Sequence, residues 1–466
     1  VRRRVVAWLT GAFALAAVVA ARPLPLSPDL RPAAYRADLL VAGGSPAGVA
    51  AAVAAARQGL VVVLVEPRPF LGTVLTGAML NMWDLNRAPG RPQRFLTKGV
   101  FLEVYRALGG VVFDPHDARA VFRAKVDAHP GIITLLETEI GRPIVEGDRV
   151  IGAVIRRRGE PETIVSAPVT VDATDDGDLA AAAGVPFTLG REASGIDRRM
   201  MAATLLFRLD GVDWTAIVAH ALAHRRGPQP SGVFGAYAWG FRDAVGDYAP
   251  ADERLSALDL NLGRMRDGTV WVNAIQVHDV DGTDAASRAE GYARAAAAIP
   301  GFVAYLRERA PGFARARLVE VAPELYIRET RHLRGLYTLT VHDILRNAVF
   351  WDRVAVASYP IDIHPYLRGE GHPYKVMRRP YTIPLRALVP VSIDGLFVAS
   401  RAFSATYQAA ASARVVPTTV AMGEAVGVAA AVCVERRVSP HALVADAHLV
   451  GEVQRRLVRA GAAIDF

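Results

Sequence analysis

The sequence predicts an α/β fold: a parallel sheet carrying a small antiparallel meander and interrupted by an inserted α+β region. Three observations predict it. A strand–turn–helix–strand unit spans residues 37–66. A second buried strand and a long small-residue helix return near the other end, at Leu396–Ala399 and Val416–Glu435. Between them, from about Met200, the apolar periodicity changes to alternating strands and separate helices.

The first unit reads YRADLLVAGGSPAGVAAAVAAARQGLVVVLVEP from Tyr35 to Pro67. Ala37–Val41 is a short apolar run of buried-strand type, and Val61–Val65 is a second. Between them Gly43, Gly44, Ser45, Pro46, Ala47 and Gly48 turn the chain into a helix that ends at Gly59. Such a turn lets backbone approach a pyrophosphate, and a helix N-terminus offers unpaired N–H groups to that anion. Glu66 stands about twenty residues on, where an acid can accept the hydroxyls of an adenosine ribose. Ser45 occupies the second glycine position of the G-x-G-x-x-G pattern and narrows the approach to the phosphates. The unit is Rossmann-like and predicts nucleotide binding. The alternative is a tight turn before an Ala-rich core helix.

A chain of 466 residues, 52% hydrophobic and 21% charged, is globular and long enough for two intimately packed domains. The formal charge of +8 comes from scattered arginines without an aromatic-interleaved basic tract. That pattern argues against nucleic acid and for solubility or an anionic small-molecule substrate. Cys433 is the single cysteine, which excludes an internal disulfide, a four-cysteine iron–sulfur cluster and a cysteine-based zinc site. No His/Asp spacing supports a metal ligand set. Redox chemistry would need an organic cofactor.

Arg2-Arg3-Arg4, the apolar run Val5–Val18 and the small-residue site at Val19-Ala20-Ala21 predict a signal peptide over residues 1–21. Export follows, to periplasm or beyond, and the arginines suit a twin-arginine route. An uncleaved N-terminal segment would be the one membrane contact. Residues 22–36 are a linker. A nucleotide-binding domain is expected over 37–199 and again over 385–435, a substrate or cap domain over 200–384, and a helical tail over 436–466. Within this scheme Thr97–Leu108, Ala118–Ala128 and Leu179–Ala183 read as helices, and Gly131–Val171 as an antiparallel meander. Ala203–Leu209, Gly232–Tyr237 and Thr269–Val277 read as strands; Ala285–Ile299 and Ala304–Arg309 read as two helices. Glu324–Tyr381, dense in His, Tyr, Arg and Pro, has the composition of a site lining.

Seven stretches taken together resemble FAD-dependent oxidoreductases of the glutathione-reductase-like type and, more narrowly, the bacterial family related to the flavin part of heterodisulfide reductase. They are GGSPAGVAAAVAAARQG, FLGTVLTG, VTVDATDDGDLAAAAGVPFTLGRE, VNAIQVHDVDGTD, LYIRETRHLRGLYTLTVHD, YPIDIH and VASRAFSATYQAAASARVVPTTVAMGEAVGVAAA, in family order from Ala37 to Val432. The resemblance implies FAD lying extended, its adenosine end on Gly43–Gly48 and Glu66, its ring between the two domains. It places Gly72 and Thr76 beside the flavin, and Thr174 and Asp176 beside the phosphates or ribityl chain. Arg401, Met422, Gly423 and Gly427 are carried over with the last stretch. The family usually has glycine at Asp175, so a carboxylate is added there; a solvated acidic turn is the alternative for Asp175, Asp176 and Asp178. Thr418 and Thr419, in the first turn of the late helix, would aim N–H groups at the flavin pyrimidine, with Arg414 adding a charge; the alternative is a core helix with a surface arginine before it.

The expected activity is hydride exchange between a small organic substrate and flavin N5, with an undetermined electron acceptor. Alternatives are a flavin-binding module with non-redox use of FAD, and an NAD-dependent dehydrogenase. For catalysis, Arg328 and Arg331 can grip an anion or pair with Glu324 and Glu329. His364, close to Asp362, is either a general base or a packed histidine.

Overall fold

The computed structural model describes residues 34–88, 90–226 and 229–466. The expected signal peptide and most of the expected linker lie outside the described residues. Five parallel strands form the central sheet: β1 (Leu39–Ala42), β2 (Val62–Val65), β3 (Ile132–Leu135), β4 (Val169–Asp172) and β5 (Leu396–Val398). Their order is β5-β4-β1-β2-β3. Every residue of β1, β2, β4 and β5 is buried, as expected of apolar strands covered on both faces. Ile132–Leu135 corrects the expected meander: it is the half-buried edge of the parallel sheet. The true meander is Thr138–Glu146, Arg149–Arg157 and Thr163–Ser166, which Tyr35–Arg36 joins in parallel.

Helix α1 (Pro46–Arg57) follows β1, and helix α2 (Val416–Arg436) follows β5 in the chain. Residues Pro417–Cys433 of α2 are buried except Ala421. By length and composition α2 could cross a membrane, but it serves as a core helix instead. The two helices meet backbone to backbone. A Cβ on Gly423 would lie 2.1 Å from the Ala47 carbonyl oxygen, and one on Gly427 2.3 Å from that of Ala51. Gly427→Leu is therefore expected to cost about 3 kcal/mol or more in denaturant unfolding. Gly301→Ala, in a helix with open space around it, should be neutral or slightly stabilising. Equal effects of the two would contradict the packing account.

The inserted region is a seven-stranded antiparallel sheet. Its order runs Gly232–Phe234, Tyr237–Gly240, Leu255–Arg264, Val270–Val277, Phe207–Asp210 and Arg317–Val321, with Ala203–Thr204 beside Val270–Val277. Gly232–Tyr237 is thus two strands of a hairpin rather than one. The expected pair of helices is one, Ala285–Arg309, running through Pro300. Ile299, Phe302, Val303 and Leu306 are buried on both sides of the proline, and that packing outweighs the lost backbone hydrogen bond. Buried apolar contacts run continuously from α1 and α2 to Phe207, Trp271 and Phe302. The tail forms two helices, Pro440–Ala445 and Ala447–Arg459.

Candidate functional site

The turn after β1 is built to bring backbone close. Gly43 has φ +102°, and a Cβ there would sit 2.6 Å from Ala173 and Thr174 backbone atoms at the end of β4. Gly48 faces the Gly43 carbonyl in the same way, at 2.0 Å. Ser45 is no flawed glycine. Its φ of −61° suits any residue, its Oγ accepts the Gly48 N–H at 3.1 Å, and its hydroxyl donates to Ala173 O at 2.7 Å. The side chain therefore caps α1 and ties it to β4. Pro46 is the first helical residue and has no N–H to satisfy. The N–H groups of Ser45 and Ala47 have no partner among the described residues. Two orphan donors at a helix N-terminus are the donor set a pyrophosphate needs, so the turn fits a dinucleotide.

Glu66, at the tip of β2, is 1% exposed. One carboxylate oxygen accepts the Gly44 N–H at 2.7 Å; the other accepts the Arg68 N–H at 3.0 Å and its guanidinium at 3.1 Å. Burial raises its pKa, and Arg68 opposes that rise. Arg68 also makes a two-point ion pair with Glu324, at 2.7 and 2.8 Å, joining the nucleotide turn to the inserted region. The sequence alone does not single out Arg68, and it offers Glu324 to Arg328 or Arg331 instead.

A cleft of about 710 Å³ opens over this turn, lined by Gly43, Glu66, Arg68, Thr73, Thr174 and Asp176 among others. It shares Val74, Asp175, Ile327 and Arg401 with a narrow slot of about 40 Å³ lined by Ser45–Ala47, Asp84, Tyr326, Arg328 and Arg414. Cleft and slot together make one elongated site between the parallel sheet and the inserted region. Asp176 accepts from Thr330 at 2.7 Å and from Arg401 at 2.7 and 3.1 Å. Asp175 accepts from Thr73 at 3.1 Å; burial raises its pKa, while Arg401 and Arg68 offset part of its charge. Thr174 spends its hydroxyl on Asp172 at 2.6 Å and lines the cleft beside it.

Several residues expected at the cofactor serve the framework. Gly72 (φ +95°) makes room for Phe122, and Thr76 donates to Leu71 O at 2.7 Å; neither lines the site, whereas Thr73 and Val74 do. Gly423 and Gly427 face α1, and Met422 is fully buried. The expected free donors at the start of α2 are also corrected. The Thr418 and Thr419 N–H groups both donate to Val415 O, at 2.9 and 3.1 Å, in a tight first turn. The Thr418 hydroxyl accepts from Asn86, whose carbonyl oxygen takes the N–H groups of Ser358 and Tyr359. Thr418 thus anchors the segment behind the slot.

In the slot Arg328, 3% exposed, donates to Ala202 O and Thr204 at 2.8 and 2.7 Å and lies over the Tyr326 ring. Arg414 donates to the Tyr326 hydroxyl at 3.2 Å, and its Nε has no partner among the described residues. Arg331 is placed elsewhere: it pairs with Asp178 at 2.7 Å and lines neither space. His364 sits behind the slot with both ring nitrogens engaged, Nδ1 3.3 Å from Gln276 Nε2 and Nε2 3.3 Å from Asp362. Burial, then the charge of Arg328, pushes its pKa down to about 3, so it is neutral but has no free lone pair facing the slot. Burial alone would raise Asp362, but His364, His372 and Arg414 hold it well below the usual carboxylate range. Two carboxylates line the slot, Asp175 on the cleft side and Asp84, which is half-buried and accepts from Tyr359 at 3.0 Å. Burial, then the charge of Asp362, pushes it up to about 6. Nothing in NMWDLNR signals Asp84 in advance, because its partners come from distant segments.

The family described as FAD dependent oxidoreductase matches residues 38–457. No curated protein matches the chain. Among solved structures, the geranylgeranyl bacteriochlorophyll reductase-like protein of Thermoplasma acidophilum is 13% identical over 92% of this chain and 84% of its own, with a TM-score of 0.44. The flavin-dependent brominase Bmp2 is 12% identical over 92% and 94%, with a TM-score of 0.44. The p-nitrophenol 4-monooxygenase of Pseudomonas putida DLL-E4 is 11% identical over 65% and 70%, with a TM-score of 0.37.

Proposed function

Because the chain belongs to the FAD dependent oxidoreductase family, we propose that it exchanges a hydride between a small hydroxylated or anionic organic substrate and flavin N5. The observation that carries this reading is the continuity of cleft and slot, from the donor turn at Gly43–Ala47 to an end lined by Asp84, Arg328 and Arg414. When bound, FAD supplies the two-electron chemistry. Gly43–Ala47, Glu66 and Arg401 would hold it. The remaining work belongs to side chains. Arg328 and Arg414 orient a substrate carboxylate or hydroxyl. Asp84 takes the substrate proton, a task suited to a carboxyl titrating near neutrality. Asp362, held by His364 and His372, fixes Arg414 from behind at 3.9 Å.

The nicotinamide-dependent alternative is not retained, since the matched family is FAD dependent. Kinship with the glutathione-reductase-like enzymes, and with the flavin part of heterodisulfide reductase, is proposed on motif order alone. Export is proposed from residues 1–21 alone. Cys433 is a single buried thiol, so electrons would leave to oxygen, a quinone or a carrier protein rather than through a dithiol. The purified protein should be yellow and should bleach under anaerobic conditions with some member of a panel of hydroxy acids, polyols and amino acids. Bleaching by dithionite but by no panel member would favour the flavin-binding module instead. Colourless protein that takes up no added flavin would end both readings.

A further inference from the structure

Away from the cleft, helix Trp214–Ala223 ends in two histidines one turn apart, His220 within it and His224 at its C-cap. Their rings stack at 4.0 Å, and both turn Nε2 toward the carboxylate of Asp243. His220 Nε2 lies 3.0 Å from Asp243 Oδ2 and His224 Nε2 lies 3.9 Å from it; all three donor atoms fall within 4.8 Å of one another. The tautomer of His224 is fixed by its surroundings. Nδ1 lies 2.9 Å from the His220 carbonyl oxygen, which can only accept, so Nδ1 carries the proton. A neutral His224 therefore turns its Nε2 lone pair toward the Asp243 carboxylate, a contact that either a proton on Nε2 or a metal cation between them relieves. An outer N–H held by a backbone carbonyl is also how metal-ligating histidines are oriented.

We propose that His220, His224 and Asp243 form a surface site for a divalent transition metal of the Zn²⁺ class. Two imidazoles and one carboxylate suit Zn²⁺, Ni²⁺ or Cu²⁺, whereas Ca²⁺ and Mg²⁺ take oxygen donors. Metal bonds of about 2.0–2.2 Å put tetrahedral donors about 3.3–3.5 Å apart, so His220 and Asp243 would part slightly while His224 closes in, and the exposed side leaves one position for water. The negative end of the helix lies beside the ion and favours it.

The buried cluster Asp362, His364 and His372 has the same composition but the opposite electrostatics. There Arg242 Nη2 lies 3.3 Å from His372 Nδ1 and can only donate to it. His372 Nε2 must then carry the proton, 2.7 Å from Asp362, and Arg414 supplies further positive charge. That cluster already contains its cations. Among the described residues no arginine pairs with Asp243. A metal there would pin the helix end to the turn at Phe241, a non-glycine residue held at φ +62° and stacked on His220. Phe241 leads directly into Arg242, so the brace would steady the guanidinium that meets His372 beside Asp362.

Untagged, flavin-loaded protein, stripped with a chelator and titrated with Zn²⁺ against a chromophoric competitor, should bind one equivalent per chain at micromolar concentration or tighter. Its thermal midpoint should rise by a few degrees. His224→Ala, at a half-exposed side chain, should fold normally, weaken binding at least about tenfold and abolish the thermal shift. Asp243→Asn should weaken it in the same direction. The proposal is overturned if the parent protein binds no stoichiometric Zn²⁺, if His224→Ala binds as tightly, or if only His372→Gln loses the ion.

Discussion

Replacing Asp84 with asparagine is expected to slow substrate-driven flavin reduction by about a hundredfold or more, with the flavin still bound. Asparagine keeps the size of the side chain and its contact with Tyr359 but cannot take a proton. The pH profile carries a second signature. Asp84 titrates at about 6, so the reduction rate should rise with pH through that value in the parent protein and lose the step in Asp84→Asn. Stability should move the other way. The folded pKa lies above the unfolded one, so the native state binds the extra proton between about pH 4 and 6, and stability falls as pH rises through that window. Asparagine removes the penalty and should stabilise the protein above pH 6 by about 1–3 kcal/mol. Stopped-flow absorbance and denaturant unfolding at two pH values measure both. His364→Gln is the contrast: its ring nitrogens are both engaged inside the protein, so it should disturb substrate affinity more than the proton-transfer step. A full rate with an intact pH step in Asp84→Asn would remove Asp84 from the reaction.

Gly43→Ala should fold poorly and purify without flavin. Two costs combine there. The backbone is held at φ +102°, and the new methyl would meet Ala173 and Thr174 at 2.6 Å. Gly59 separates them, since its φ is +91° and nothing lies within 4 Å of the added carbon. Gly59→Ala should lose about 1–2 kcal/mol from the dihedral alone and retain its flavin. Gly43→Ala should lose about 3 kcal/mol or more, because β4 cannot retreat without parting from both neighbouring strands. Flavin-to-protein ratio and chemical unfolding read the difference. Equal stability and equal flavin content in the two variants would refute the close-approach account.

What is legible in the sequence is local. The β1 turn, α1 and α2 announce themselves through small-residue runs and adjacent apolar strands, and the structure bounds each within a few residues of the expected ends. Interactions between segments are not legible. Gly423 and Gly427 look alike whether they border a cofactor or another helix, and only the position of Ala47 and Ala51 shows which. Glu324 pairs with Arg68, hundreds of residues away in sequence, rather than with its neighbours in LYIRETR. His364 looks like a base beside Asp362 until Gln276 is brought against its other nitrogen. Pro300 misleads for the opposite reason: a local rule is overridden by packing on both sides.

The central sheet also dictates when the protein can be finished. Strand β4 is flanked by β1, made early in synthesis, and β5, made late. A ribosome must therefore release most of the polypeptide before the seam between the two ends can close and α2 can settle onto α1. Until then the apolar edge of β4 and the small-residue face of α1 are bare, and the nascent chain needs shelter from its neighbours. A nucleotide site lined both by Ser45–Ala47 and by Arg401 is complete only once β5 has been made.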